Sequence, residues 1–131
     1  KSPIFKGGGR VFGPRPRDYH FKLNKKLKRL ARFSALTKKV QHKGIVVVED
    51  FTFDSPKTKE FKQVLHNLEL INKKSTFVLA ELNKNVYLSS RNLESSNVVT
   101  YSELNTYRIM NSNTVVFSES ALKGLESNFT N

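Results

Sequence analysis

The stretch Gly44-Ile45-Val46-Val47-Val48-Glu49-Asp50 decides the fold. Its four consecutive β-branched side chains suit a pleated strand and resist a helix, where their χ1 freedom is lost against the preceding turn. The run is continuous rather than alternating, so both faces must be covered, as in a parallel sheet with helices on either side. The residues downstream keep that rhythm. Ser55-Pro56 reads as an N-cap with proline at the first helical position, and Phe61, Val64, Leu65 and Leu68 recur at helical spacing. Thr76-Phe77-Val78-Leu79 predicts a second strand, residues 84 to 92 a short helix, and Val98-Val99-Thr100-Tyr101 a third strand. Ser102 is placed to cap a helix ending near Met110. Thr114-Val115-Val116-Phe117 predicts a fourth strand, and Ser118 caps a last helix through about Glu126, weakened by Gly124 within it. Strands alternating with helices imply βαβ units with right-handed crossovers. Residues 23 to 131 should therefore form one three-layer α/β/α domain around a four-stranded parallel sheet, a common size for a single core.

Upstream of the first strand the character changes. From Asn24, a candidate N-cap, a helix can run to about Val40. At 100° per residue, Leu23, Leu27, Leu30, Ala31, Phe33, Ser34 and Val40 share one broad side, which is expected to pack inward. Lys25, Lys28, Arg29, Arg32 and Lys39 project on the opposite side, interrupted by Leu36, as a basic stripe set to meet phosphates. Residues 1 to 22 show neither helical nor strand periodicity. They combine Gly7-Gly8-Gly9, Gly13-Pro14-Arg15-Pro16-Arg17 and the aromatics Phe5, Phe12, Tyr19 and Phe21. Proline pushes the residue before it toward extended backbone, and glycine permits approaches that a side chain would block. The segment is expected to be an extended arm with no core of its own, ordered by a partner.

The charge divides along the same line. Residues 1 to 43 hold fourteen Lys or Arg against one acid, Asp18, whereas residues 44 to 131 hold nine against ten acids, within an overall charge of +12. A near-neutral domain carrying a strongly basic arm is the charge arrangement of a protein that docks a segment into polyanion. The arm supplies both tools that RNA recognition uses. Lys1, Lys6, Arg10, Arg15, Arg17, Lys22, Lys25, Lys26, Arg29 and Arg32 offer cations for phosphates. Phe12, Tyr19, His20 and Phe21 offer planes for unstacked bases, although Phe21 can equally pack on the domain. Gly7, Gly8 and Gly9 keep the backbone thin enough to thread between RNA helices.

Other chemistries find little support. There is no cysteine, which excludes disulfides, thiolate nucleophiles and sulfur-ligated zinc. His20, His42 and His66 lie far apart, no metal or cofactor motif is present, and neither G-x-S-x-G nor H-E-x-x-H occurs. The glycine run follows no strand, opens no helix and matches no nucleotide-loop spacing. Glu49-Asp50 stands at the carboxyl end of the first strand, where α/β enzymes place acidic groups, but reads as a solvated strand end because no convergent polar partner is apparent. No run of about 18 apolar residues could span a bilayer, and the start lacks an apolar signal region, so a cytosolic protein is expected. Because Lys1 opens in mid-pattern, the chain is expected to begin inside a longer protein.

The sequence Lys1-Ser2-Pro3-Ile4, Gly7-Gly8-Gly9 and Phe12-Gly13-Pro14-Arg15-Pro16-Arg17-Asp18-Tyr19 closely resembles the L-four family of bacterial large-subunit ribosomal proteins. The resemblance continues through Lys25-Lys26, Arg29-Leu30-Ala31, Ser34-Ala35-Leu36, Pro56-Lys57-Thr58-Lys59 and Ser90-Arg91-Asn92-Leu93. It implies strand order 1-4-2-3 and a structural, non-enzymatic role in the large subunit. It also implies an extended loop reaching toward the nascent-peptide exit tunnel, with Lys1 to Arg17 as one limb and the tunnel-lining tip outside this chain. The implied partners are large-subunit ribosomal RNA and neighbouring ribosomal proteins, including the other protein of the tunnel constriction, with no cofactor, membrane or small-molecule substrate. Lys57, Lys59 and Arg91 join the expected RNA-binding residues on this ground. Two departures stand out. Phe5 occupies a position where the family usually has tryptophan, and Arg108 one that is commonly acidic. Two rival functions remain: regulation of its own messenger RNA by the free protein, and an α/β enzyme with a basic tail.

Overall fold

The computed structural model describes residues 1–130, with side chains through residue 127. Each strand is followed by a helix, in the order α1 (Lys25–Gln41), β1 (Ile45–Val48), α2 (Thr58–Asn67), β2 (Ser75–Leu79), α3 (Lys84–Ser90), β3 (Ser96–Thr100), α4 (Thr106–Asn111), β4 (Thr114–Ser118) and α5 (Glu119–Thr130). The four strands form one parallel sheet in the order β1-β4-β2-β3, in the expected 1-4-2-3 arrangement. Along the sheet the chain steps forward from β1 to β2 and again to β3, then back to β4. Crossovers of one hand then demand that α2 and α3 share a face and α4 take the other. The core has that division. Phe61 and Leu65 of α2 and Val86 of α3 pack with Phe77, Leu79, Val98 and Val116 on one face. Ile109 of α4, Ala121 and Leu125 of α5, and Ala35 of α1 pack with Val78, Val99, Val115 and Phe117 on the other.

The first face is built on aromatics. The Phe61 and Phe77 rings lie 5.0 Å apart edge-on, and Phe51 and Phe53 extend the group from the segment after β1. That segment explains why α2 begins later than Ser55-Pro56 suggests. Asn85 Nδ2 donates to the carbonyls of Phe53 (2.7 Å) and Asp54 (3.3 Å), tying the chain to α3 before it can turn helical. The N-cap is Lys57, without a side-chain bond. The cap of α4 also moves. Ser102 Oγ pairs with Thr100 Oγ1 inside the turn after β3, and Asn105 takes over, its Oδ1 accepting from the Arg108 amide at 2.8 Å. Ser118 caps α5 as expected, accepting from the Ala121 amide. Gly124 lies against Tyr101 within α5, where a Cβ would stand 3.2 Å from the ring and press on it.

The largest correction concerns α1. Asn24 is its N-cap, with Oδ1 accepting from the Leu27 amide at 3.0 Å. The side carrying Leu23, Leu27, Leu30, Phe33 and Val40 nevertheless does not pack inward, and all five are exposed. Ala35 is buried and Leu36 packs against the core instead, with Arg32 and Lys39 half-buried on the same stripe. Only the later turns of α1 reach the domain, and there a small Ala35 lets the helix approach α4 while Lys39 Nζ donates to the carbonyls of Ser112 and, at 3.4 Å, Asn113. Hydrophobic periodicity identified the helix but pointed its apolar side the wrong way. Truncating Phe77 to alanine should cost about 3–5 kcal/mol of unfolding free energy. Phe12→Ala, at a fully exposed ring, should stay within about 0.5 kcal/mol in the same urea titrations.

Candidate nucleic-acid interface

The arm is ordered in two different ways along its length. Residues 1 to 9 are not extended. The Phe5 amide donates to Ser2 O, the Gly8 amide to Phe5 O and the Gly9 amide to Lys1 O, closing a compact loop. A Cβ on Gly8 would sit 2.0 Å from Ser2 O, so this position tolerates glycine alone. Arg10 to Leu23 follow without helix or strand. Ile4, Phe5, Val11, Phe12, Tyr19 and Phe21 are all exposed, and Phe21 does not pack on the domain. The Arg17 guanidinium stacks over the Tyr19 ring, 4.7 Å from its centroid, which presents a plane and a charge together.

Lys25, Lys26 and Lys28 occupy the first turns of α1, which hold no acid. Among the described residues none of these three has an ion-pair partner. Three cations therefore crowd the positive end of a helix dipole, an arrangement that costs stability until an anion relieves it. Arg29 stacks on Phe33 at 5.9 Å in the next turn. With the exposed Lys22, Arg15 and Arg17 this makes a continuous basic and aromatic track along residues 10 to 32.

Not every expected residue joins it. Lys39 turns into the domain, toward the end of α4. Lys57, paired with Glu60 at 3.3 Å, and Lys59 belong to α2, and Arg91 follows α3, so these three lie on the face of the sheet away from α1. Asp18 and His20 are exposed within the track. Arg108, at the position that is commonly acidic in the family it resembles, faces Glu103 at 4.0 Å on the surface.

The carboxyl ends of the strands form a shallow crevice between Asp50, Ser118, Ser120 and the 80 to 84 segment. Asp50 is engaged there, accepting from Ser120 Oγ at 2.6 Å. Hydrogen bonds from the Ser120 and Ser118 hydroxyls hold its carboxyl below the ordinary carboxylate range. Sequence reasoning missed this partnership because the serines lie about seventy residues downstream of the acid. Among the described residues no cluster of three His, Asp or Glu could hold a metal ion, and no helix is long and apolar enough to cross a membrane.

The structure is thus a near-neutral α/β domain, with helices on both faces of its sheet, that carries a basic, aromatic-bearing arm. The chain belongs to the ribosomal protein L4/L1 family, whose pattern matches residues 1–128. It is 64% identical over 127 residues to large ribosomal subunit protein uL4 of Christiangramia forsetii, covering 97% of this chain and 61% of that protein. The protein of the same name from Flavobacterium psychrophilum is 61% identical over 130 residues, covering 99% and 62%. That of Amoebophilus asiaticus is 53% identical over 131 residues, covering 100% and 62%. The chain thus spans about three-fifths of the length of these relatives.

Three variants test the local readings. Lys39→Met should lower stability by about 1.5–3 kcal/mol, the range for a hydrogen bond from a charged donor, while Lys25→Met should not. Because the folded Asp50 carboxyl titrates below its unfolded value, its contribution is present above about pH 4 and is lost as the pH falls below it. Asp50→Asn should therefore flatten the acid limb of the stability profile measured by thermal melting.

Proposed function

We propose that this chain is part of a structural component of the large ribosomal subunit, where it binds and stabilises ribosomal RNA and performs no catalysis. Its place of action is then the cytoplasm, within the ribosome. The observation that carries the reading is the segregation of charge onto a segment without a core. The basic track along residues 10 to 32 offers exposed cations and planes, and the unrelieved lysines at the start of α1 favour an incoming phosphate. Membership of the ribosomal family and the names of the relatives support the same reading.

In finer detail, the arm is one limb of a loop that enters folded RNA and reaches toward the nascent-peptide exit tunnel. Its neighbours there are other large-subunit proteins, including the second protein of the tunnel constriction. The α/β domain anchors this limb, and crowded phosphates along the RNA are neutralised by Arg10, Arg15, Arg17, Lys22, Lys25, Lys26, Lys28, Arg29 and Arg32. Phe12, Tyr19, His20 and Phe21 stack on bases that the RNA fold leaves open. Lys1, Lys6 and the glycine loop closed by Gly8 form the part that travels farthest from the domain along the chain.

Sedimentation of the full-length protein from lysate through a high-salt gradient tests the reading. Comigration with the large subunit is expected, and a protein that is free or readily stripped would sink it. Replacing Arg15, Arg17, Lys25 and Arg29 together by glutamine should reduce the log-log salt slope of RNA binding by about 3, at roughly 0.7–0.9 per phosphate contact. An unchanged slope would remove the arm from the electrostatic site.

A further inference from the structure

Strand β3 closes one edge of the sheet, and that edge is open. The Ser75 amide donates to Ser95 O and the Tyr101 amide to Leu79 O, so the odd-numbered residues of β3 bond to β2. By the alternation of a parallel ladder, Ser96, Val98 and Thr100 direct their backbone groups the other way. Two of these groups are used locally: the Ser96 amide donates to Leu93 O, and Thr100 O accepts from the Glu103 amide. Ser96 O, the Val98 amide, Val98 O and the Thr100 amide remain along the edge. Proteins usually guard such an edge with proline, lysine or a bulge, and Ser96-Asn97-Val98-Val99-Thr100 contains none of these.

The edge lies in a groove of about 880 Å³ walled by α3 on one side and α4 on the other, with the exposed rings of Tyr87 and Tyr107 among its walls. Its floor at the amino end of the strands holds a second signal. Ser75 and Ser96 are register partners on the same face, and both hydroxyls are buried without a hydrogen-bond partner. A buried hydroxyl left so is destabilising, and two side by side weaken the packing at this end of the sheet. Lys74 and Arg91 line the same groove and have no acidic partner within 4 Å among the described residues, whereas Arg108 already faces Glu103; with Glu94 also in the lining, the basic groups still outnumber the acids by one.

We propose that this groove binds an extended acidic peptide segment of a partner protein, which adds to β3 as a fifth strand. Its backbone completes the edge at Val98 and Thr100. A carboxylate side chain at the amino end faces Lys74 and Arg91. The alternation of donors and acceptors along the edge is that of a peptide backbone, which serves Ser96 O and Val98 O as well as the two amides, whereas phosphate oxygens only accept. This site is separate from the basic track and does not depend on the ribosomal reading.

The test uses the full-length, nitrogen-15-labelled protein and an acetylated, amidated octapeptide of alternating valine and glutamate. Nuclear magnetic resonance should show the Val98 and Thr100 amides shifting, with hydrogen exchange at both slowed roughly tenfold or more. Replacing the glutamates by lysine should weaken binding roughly tenfold, the sum of two or three exposed charge pairs. Methylating alternate backbone nitrogens of the peptide should abolish binding, and Lys74→Glu should weaken it several-fold. Unperturbed Val98 and Thr100 amides, or binding indifferent to backbone methylation, would overturn the proposal. So would the same perturbations produced by a decauridylate oligonucleotide in place of the peptide.

Discussion

Strands β2 and β4 have no face open to water, and that double burial is the constraint on which the remaining architecture depends. All five residues of Ser75–Leu79 are buried, and so is β4 from Val115 to Ser118. Strands of this kind are stable only if helices cover both sides, and the chain can deliver those helices only through crossovers that step along the sheet and back. The order β1-β4-β2-β3 places these two most buried strands in the middle and leaves β1 and β3 at the edges. The phenylalanine group on one face and the Val99, Ile109, Phe117 and Leu125 group on the other are the two halves of a single requirement.

The rest of the molecule stands outside this requirement. The arm and the first turns of α1 add exposed rings and unneutralised cations, neither of which helps the domain to fold. In water such a segment gains too little from burial to offset the entropy of ordering it. The RNA binding proposed above changes that balance, because a cation at a phosphate displaces a counterion and a ring can stack on an open base. On that proposal, stability and binding are carried by different parts of the sequence. The junction between them lies within α1, where Ala35 and Lys39 dock on α4 while Lys25, Lys26 and Lys28 face outward.

Lys39 and Asp50 show how similar residues acquire different roles by position. Lys39 has the charge and spacing of the stripe residues, yet its ammonium meets the carbonyls at the end of α4, the negative end of that helix. Asp50 has the position of a catalytic acid at a strand end, yet its carboxylate is occupied by the serine hydroxyls at the start of α5. Both side chains belong to the fold's own wiring.

Much was legible in the residues alone. The β-branched run at Ile45–Val48, the helical spacing after Pro56 and the alternation of strand and helix beyond it determined an α/β sheet, because local periodicity reports burial directly. Charge division set residues 1 to 43 apart as the basic part of the chain, with fourteen cations against one acid. Strand order came from resemblance to a family and not from the residues themselves. Only the tertiary structure decided which side of α1 faces the domain, since Leu23, Leu27 and Leu30 outnumber Ala35 and Leu36 in sequence but lie beyond the reach of α4. It alone separated Lys57, Lys59 and Arg91 from the basic track, turned Lys39 inward, moved the cap of α4 to Asn105 and folded residues 1 to 9 onto Gly8. Each of these depends on groups distant along the chain, or on backbone closing upon itself, coming within a few ångströms, which no local pattern of residues encodes.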